Sequence, residues 1–220
     1  MSDVVYLGPS LPADEAKGLL PGVRVLPPVE HGDLLRLDAG PGDRVLIVDG
    51  LFLQSAPVRH KEILHLLERG VTVAGSSSMG ALRAAEMWQF GMRGVGQVFQ
   101  MYRDGTITGD DEVAIVHGPA EEGYRALSEP LVNIRVALRS AQAAGVIDTE
   151  RMAMLADAAR ALAFRARGYR ALSQVDGAVP FLEWLHANPS NAKADDARLL
   201  LSLAEAGALR PPGPDDLTPT

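Results

Sequence analysis

Short apolar runs alternate with helix-period segments through the first three-quarters of the chain, the pattern of β-α-β units carrying a largely parallel sheet. Val4-Val5-Tyr6-Leu7 predicts a strand that stops at Gly8-Pro9-Ser10. A helix is expected over 13–20, closed by Pro21-Gly22, and a second strand over 23–26, closed by Pro27-Pro28. Val45-Leu46-Ile47-Val48 is the clearest buried strand and ends at Asp49-Gly50. The next helix takes Ser55 as its N-cap, tolerates Pro57 in its first turn, and turns Ile63, Leu64, Leu66 and Leu67 inward before Gly70 ends it. Val71-Thr72-Val73-Ala74 then predicts a strand, followed at once by the small-residue turn Gly75-Ser76-Ser77-Ser78-Met79-Gly80 and a helix over 81–90.

Beyond Gly91 the pattern loosens to a helix over 95–102, an acidic run Asp110-Asp111-Glu112 and a strand-like Val113 to Val116 closed by His117-Gly118-Pro119. From Tyr124 it turns helical, over 130–144, 149–167, 180–186 and 194–206. The expected fold is therefore α/β, a mostly parallel sheet with helical crossovers and a Rossmann-like N-terminal part, followed by a mainly helical C-terminal part. In domain terms this reads as an α/β core over 1–122, a helical region over 123–209 and a disordered, proline-rich tail over 210–220.

Composition narrows the chemistry. At 220 residues the chain suffices for one large domain or a domain with an appendage. With no cysteine, thiol catalysis, disulfide scaffolds and Cys-based metal sites are excluded. The net charge of −7 disfavours nucleic acid and anionic membrane as partners. No apolar run approaches the roughly 18 residues of a membrane-crossing helix, and Met1-Ser2-Asp3 lacks the basic start of a signal peptide, which makes the cytoplasm the expected location. The acidic run has no accompanying ligand set, so no metal is expected, and no glycine-rich dinucleotide fingerprint marks a cofactor.

In a parallel sheet, ligands bind at the carboxyl ends of the strands. Three loops share that edge: Gly8-Pro9-Ser10, the segment from Asp49 and Gly50 to Ser55, and Gly75 to Gly80. Ser78-Met79-Gly80 matches the second half of a nucleophile elbow, with Ser76 where the motif wants glycine. A serine at such a turn lies where backbone N–H groups and the helix dipole stabilise an oxyanion. The same residues also suit a helix cap or an anion cradle. None of the five histidines is singled out by spacing as the base. Lys61 falls in the first turns of the preceding helix, and its helical neighbours Pro57, Val58, Leu64 and His65 include no acid. A lysine desolvated beside serine serves as a base, although a helical wheel puts His60 nearer the apolar face.

The stretch His60-Lys61-Glu62-Ile63-Leu64 and the run from Gly70 through Glu86 resemble the core of the TfuA-like family. Tyr6-Leu7-Gly8-Pro9-Ser10-Leu11, Val48-Asp49-Gly50-Leu51-Phe52, Asp110-Asp111-Glu112-Val113-Ala114 and Leu131-Val132-Asn133-Ile134-Arg135 fit the same family, so the resemblance spans about residues 4–145. It implies a companion of a YcaO enzyme in peptide backbone thioamidation. That companion hydrolyses the C-terminal thiocarboxylate of a ThiS-like sulfur carrier to release sulfide, and it assists YcaO in binding the precursor peptide. It also implies a Ser-Lys pair, mapped here to Ser78 and Lys61, with Ser78 preferred to Ser76 and Ser77 because it borders the helix start. Met79 and Gly80 N–H groups, joined by the Gly8 and Gly50 loops, are the expected oxyanion donors. Arg83 is expected to steer the carrier's negative tail or to pair with Glu86, and His117 with the acidic run at Asp110 to line the site or only to shape a lid. The competing readings are a noncatalytic adaptor that docks YcaO, and a phosphate- or nucleotide-binding protein using the serine loop as an anion cradle.

Overall fold

The computed structural model describes residues 2–51 and 56–209. Along the chain run β1 (Asp3–Tyr6), α1 (Ala13–Leu19), β2 (Arg24–Leu26), α2 (Asp33–Arg36), β3 (Arg44–Ile47), α3 (His60–Glu68), β4 (Thr72–Ser76), α4 (Met79–Met87), β5 (Arg93–Val95) and α5 (Gln97–Arg103). There follow α6 (Leu131–Ala143), α7 (Thr149–Ala161), α8 (Tyr169–Leu172), α9 (Val179–Ala187) and α10 (Ala192–Glu205). Two compact units result. Residues up to 108, 120–124 and from 193 onward form the first, and residues 109–119 and 125–192 the second.

The first unit holds a five-stranded, all-parallel sheet in the order β2-β1-β3-β4-β5. Parallel neighbours need long crossover connections, usually helical, which explains the alternation in the sequence. Val5, Leu46 and Ala74 lie in one register across β1, β3 and β4, and with Val95 they pack on Ala16 and Leu20 and on Ala197, Leu200, Leu201 and Ala204 of α10. Alternate residues of a strand point to opposite faces, so Val4, Tyr6, Val45, Ile47 and Val73 face the other side. There Tyr6 feels Asp33 and Arg36 of α2 and Glu62 of α3, and burial first, then these acids, pushes its hydroxyl up to about 12. The central strand β3 is buried along its whole length, including Arg44. That guanidinium is held in a fork by Asp3 at 2.6 and 2.7 Å and donates to the Ala204 carbonyl, so a buried charge is fully partnered.

Three expectations change here. β5 lies where the sequence pattern only loosened, on Arg93-Gly94-Val95. α3 begins at His60 rather than near Ser55, which lies outside the described residues, as do Phe52, Leu53, Gln54 and the tail from 210. The short α2 was not anticipated.

The second unit is helical. Leu131, Ile134, Leu138 and Ala141 recur at three- and four-residue steps along α6 and meet Leu155, Ala159, Leu172 and Phe181 of α7, α8 and α9. Asp148 caps α7 by accepting from Arg151 N–H at 2.7 Å. The expected helix over 149–167 stops at Ala161, because Arg167 folds back and donates to the Ala159 and Leu162 carbonyls. Val113 to Val116 is not a strand. A 3-10 turn over Asp110–Glu112 precedes it, and only an isolated His117 to Ala126 bridge follows. Glu112 of that turn is buried against Arg135, and Asp111 accepts from Arg167.

Candidate functional site

Between β1 and β3 the chain leaves the sheet in opposite directions, the switch point at which open α/β sheets bind ligands. Asp49, at the end of β3 and 2 % exposed, organises this edge. Its carboxylate accepts from Gly8 N–H at 2.9 Å, Ser10 N–H at 3.0 Å and Ser10 Oγ at 2.6 Å. Gly8, Ser10 and Asp49 are therefore one structural clasp that fixes the β1 loop against β3, and the Ser10 hydroxyl is spent inside it. Beside Gly8 a cavity of about 260 Å³ opens between Leu7, Leu11, Pro27 and Tyr124.

The turn from β4 into α4 is tighter than sequence alone conveys. A Cβ on Gly80 would come within 1.7 Å of the Ile47 carbonyl oxygen, and one on Gly75 within 2.1 Å of the Gly80 carbonyl oxygen. Glycine at both positions lets the start of α4 rest directly on β3 and β4. Ser76, Ser77 and Ser78, all buried, then take three different parts. Ser76 Oγ donates to the Asp196 carbonyl at 2.8 Å and is structural. Ser78 precedes the helix, its N–H bonded to Ser76 O at 2.8 Å, and its side chain makes no capping bond.

Ser77 is the exception. It has φ +68°, the left-handed region that L-residues adopt at a cost of about 1–2 kcal/mol, and its Oγ is fully buried with no hydrogen-bond partner. The helix start favoured Ser78 in the sequence, yet the conformation of a nucleophile elbow falls one residue earlier. The signal was present as Gly75, two positions before Ser77, where the motif wants its first glycine. Of the expected oxyanion donors, Gly80 N–H is committed to Val48 O at 3.2 Å. Met79 N–H has no partner among the described residues.

Lys61 is exposed, so the desolvation expected of it is absent. The first turn of α3 turns Glu62 and Ile63 inward instead, and His60 is exposed as well. Arg83 is nearly buried, donating to Val58 O at 3.1 Å and to Glu86 at 2.6 Å, so the pairing with Glu86 is the arrangement present. Glu86 in turn meets His60 Nε2 at 2.8 Å. Gly50 is wedged between Val29 and Met79: a Cβ there would lie 2.9 Å from Met79 Cβ and 3.1 Å from Val29 Cγ1. His117 belongs to the second unit, its Nδ1 against its neighbour's Gly118 carbonyl at 2.8 Å.

Sequence reasoning missed one pair. Glu62, 2 % exposed, places Oε1 2.8 Å from His31 Nδ1, while Gly32 N–H donates to Oε2 at 2.8 Å and Arg59 N–H to Oε1 at 3.1 Å. A Glu at the third position of a helix is half of a capping box, but Arg59 at the cap is not a residue that announces one. Among the described residues no group of three or more His, Asp or Glu side chains is arranged to hold a metal ion, and no helix is long and apolar enough to cross a membrane.

A doubly wound parallel sheet with a strained serine at the turn from β4 into α4 defines an α/β protein. A family model described as TfuA-like protein matches residues 49–168, more than half of the chain, and the chain belongs to that family. At family level this associates it with YcaO-type thioamidation. Among curated proteins no match to the chain was found.

Proposed function

We propose that this TfuA-like chain is a serine hydrolase acting in the cytoplasm beside a YcaO enzyme. It cleaves the C-terminal thiocarboxylate of a ThiS-like carrier to supply hydrosulfide, and it helps YcaO hold its precursor peptide. The single observation that carries the reading is Ser77, a non-glycine residue held at φ +68° with a buried, unpartnered hydroxyl. Strain of this kind persists only where the surroundings enforce it, and it clusters at sites of chemistry. Ser77 Oγ attacks the thiocarboxylate carbon, the Met79 N–H stabilises the oxyanion, hydrosulfide leaves, and water hydrolyses the acyl-serine.

The Ser-Lys pairing implied by the family resemblance needs Lys61 to move from its exposed position to the serine turn. The same burial of Ser77 and exposure of Lys61 favour the second reading, a noncatalytic adaptor that docks YcaO and recruits carrier or peptide. The deciding experiment is hydrosulfide release from a thiocarboxylated carrier without YcaO, comparing wild type with Ser77→Ala, Ser78→Ala and Lys61→Ala. Release that is lost in Ser77→Ala supports the hydrolase. Loss in Ser78→Ala with Ser77→Ala active moves the nucleophile to Ser78, and release at the level of buffer by wild type leaves the adaptor.

A further inference from the structure

The helical unit carries a basic cavity that the serine chemistry does not use. In a chain with 28 acidic residues, the stretch from 158 to 175 holds four arginines and no acid. Three of the four, Arg165, Arg167 and Arg170, line a cavity of about 510 Å³ together with Leu127 and Gln174, and no Asp or Glu joins them in its wall.

The three arginines take different parts. Arg167, whose side chain is 1 % exposed, belongs to the frame: its guanidinium donates to the Ala159, Leu162 and Asp111 carbonyls and to the Asp111 carboxylate, at 2.9 to 3.2 Å. Its own carbonyl accepts from Glu129 N–H at 2.9 Å, which fixes the chain just beyond Leu127 to the cavity wall. Arg165 and Arg170 are exposed, and their guanidiniums make no ion pair or hydrogen bond among the described residues. Arg165 rests instead 5.6 Å from the centre of the Phe164 ring, a contact that orients a cation without neutralising it. Elsewhere arginines in the wall of the fold are met by carboxylates, Arg44 by Asp3, Arg83 by Glu86 and Arg135 by Glu112. Two unanswered guanidiniums on one hollow, beside a Leu127 that is 52 % exposed, depart from that pattern.

A guanidinium presents a planar fork of donors that matches a carboxylate two bonds at a time. Two such forks next to an apolar side chain suit a short peptide carrying carboxylates and one apolar residue. Nucleic acid or an anionic bilayer would have to bring an extended negative surface against a protein of net charge −7, whereas a short peptide needs this cavity alone.

We propose that this cavity docks an acidic peptide segment of a partner protein, its carboxylates on Arg165 and Arg170 and its apolar residue against Leu127. The proposal is independent of the chemistry at Ser77.

The test titrates the full chain into a fluorescein-labelled peptide, Gly-Ser-Glu-Glu-Leu-Glu-Asp-Gly, and reads anisotropy at about 50 mM NaCl, where surface charge is least screened. A second peptide carries Gln and Asn in place of the acids. The acidic peptide should saturate at about 10–100 μM and the amide peptide bind at least about tenfold more weakly. Arg165→Glu and Arg170→Glu should each weaken the acidic peptide by about tenfold or more, while Arg139→Glu, the same charge change at an exposed position of α6 outside the cavity, should change it by less than about twofold. Arg170→Lys keeps the charge but loses the fork and should weaken binding severalfold, as should Leu127→Asn, which leaves the charge untouched. Circular dichroism melts should be unchanged, since all these positions are exposed. No saturable binding by wild type up to about 500 μM overturns the proposal. An equal loss in Arg139→Glu overturns it as well, because the attraction is then diffuse. Tighter binding of inorganic phosphate, oligothymidylate or phosphatidylserine vesicles, lost in the Arg165 and Arg170 variants, keeps the cavity as an anion site and overturns the peptide as its occupant.

Discussion

Replacing Ser77 should make the protein more stable as it silences it, because the residue carries two separable penalties. The first is a fully buried hydroxyl with no partner, worth about 1–3 kcal/mol of desolvation left unrepaid. The second is the left-handed backbone at φ +68°, worth about 1–2 kcal/mol for a residue with a Cβ. Ser77→Ala removes only the first, so a gain of about 1–2 kcal/mol is expected, discounting the small void left behind. Ser77→Gly removes both but adds the greater freedom of glycine in the unfolded chain, about 0.5–1 kcal/mol, for a net gain of about 1.5–3 kcal/mol. The two tryptophans supply the assay, since Trp88 lies in the sheet unit and Trp184 in the helical unit. In a Trp184→Phe background, urea unfolding followed at Trp88 should show both variants shifted to higher midpoints with the slope unchanged, glycine further than alanine. If either variant is less stable than its parent by about 1 kcal/mol or more, the hydroxyl is bonded or the turn is unstrained, and the case for Ser77 fails.

Gly80→Ala should cost at least about 3 kcal/mol or prevent folding of the sheet unit, because the new Cβ would fall 1.7 Å from a backbone oxygen of β3; the Trp88 signal reads this directly. Asp49→Asn sets an amide against three donors and should lower stability by about 2–4 kcal/mol, measured by the same unfolding curve. Arg135→Ala strands the buried Glu112 carboxylate and should destabilise the second unit by about 3 kcal/mol, visible at Trp184 in a Trp88→Phe background. Asp196, which accepts from Gln97 and Val98 N–H at the start of α5, is raised by burial from 3.8 to about 6, and carboxyl carbon NMR should find its midpoint there. A raised acid binds its proton more tightly folded than unfolded. Its contribution is therefore largest below about pH 4 and lost as pH rises through about 6, by up to about 3 kcal/mol, a slope that Asp196→Asn should remove.

Strands β1 to β4 were legible because each is an apolar run bounded by glycine or proline, with a helical period between them. β5 was not, since Arg93-Gly94-Val95 offers no run; it pairs because β4 presents a free edge to it. The converse error was Val113 to Val116, an apolar run with no neighbouring strand to accept it, whose Val113 and Ala114 are buried without a ladder. At the site, the edge of the sheet and the serine turn were visible in the spacing. Which serine is strained was not, because φ depends on how closely α4 settles on β3, a distance set by Gly75 and Gly80. Lys61 stood out because its helical neighbours include no acid, whereas Glu62 beside it faces the interior. The His31 to Glu62 pair spans 31 residues and only the folded loop after β2 closes it.

The return of α10 to the sheet has a consequence for synthesis. Arg44 in the central strand donates to the Ala204 carbonyl 160 residues further on, and Val5, Leu46 and Ala74 pack on Ala197, Leu200 and Leu201. While the chain emerges from a ribosome, the part of this sheet face that α10 covers therefore stays open until the whole helical unit has been translated. Vectorial folding of this sheet is open on that side until α10 arrives. Chains stalled before residue 192 expose Val5, Leu46 and Ala74 on that part of the face, apolar surface of the kind that favours aggregation.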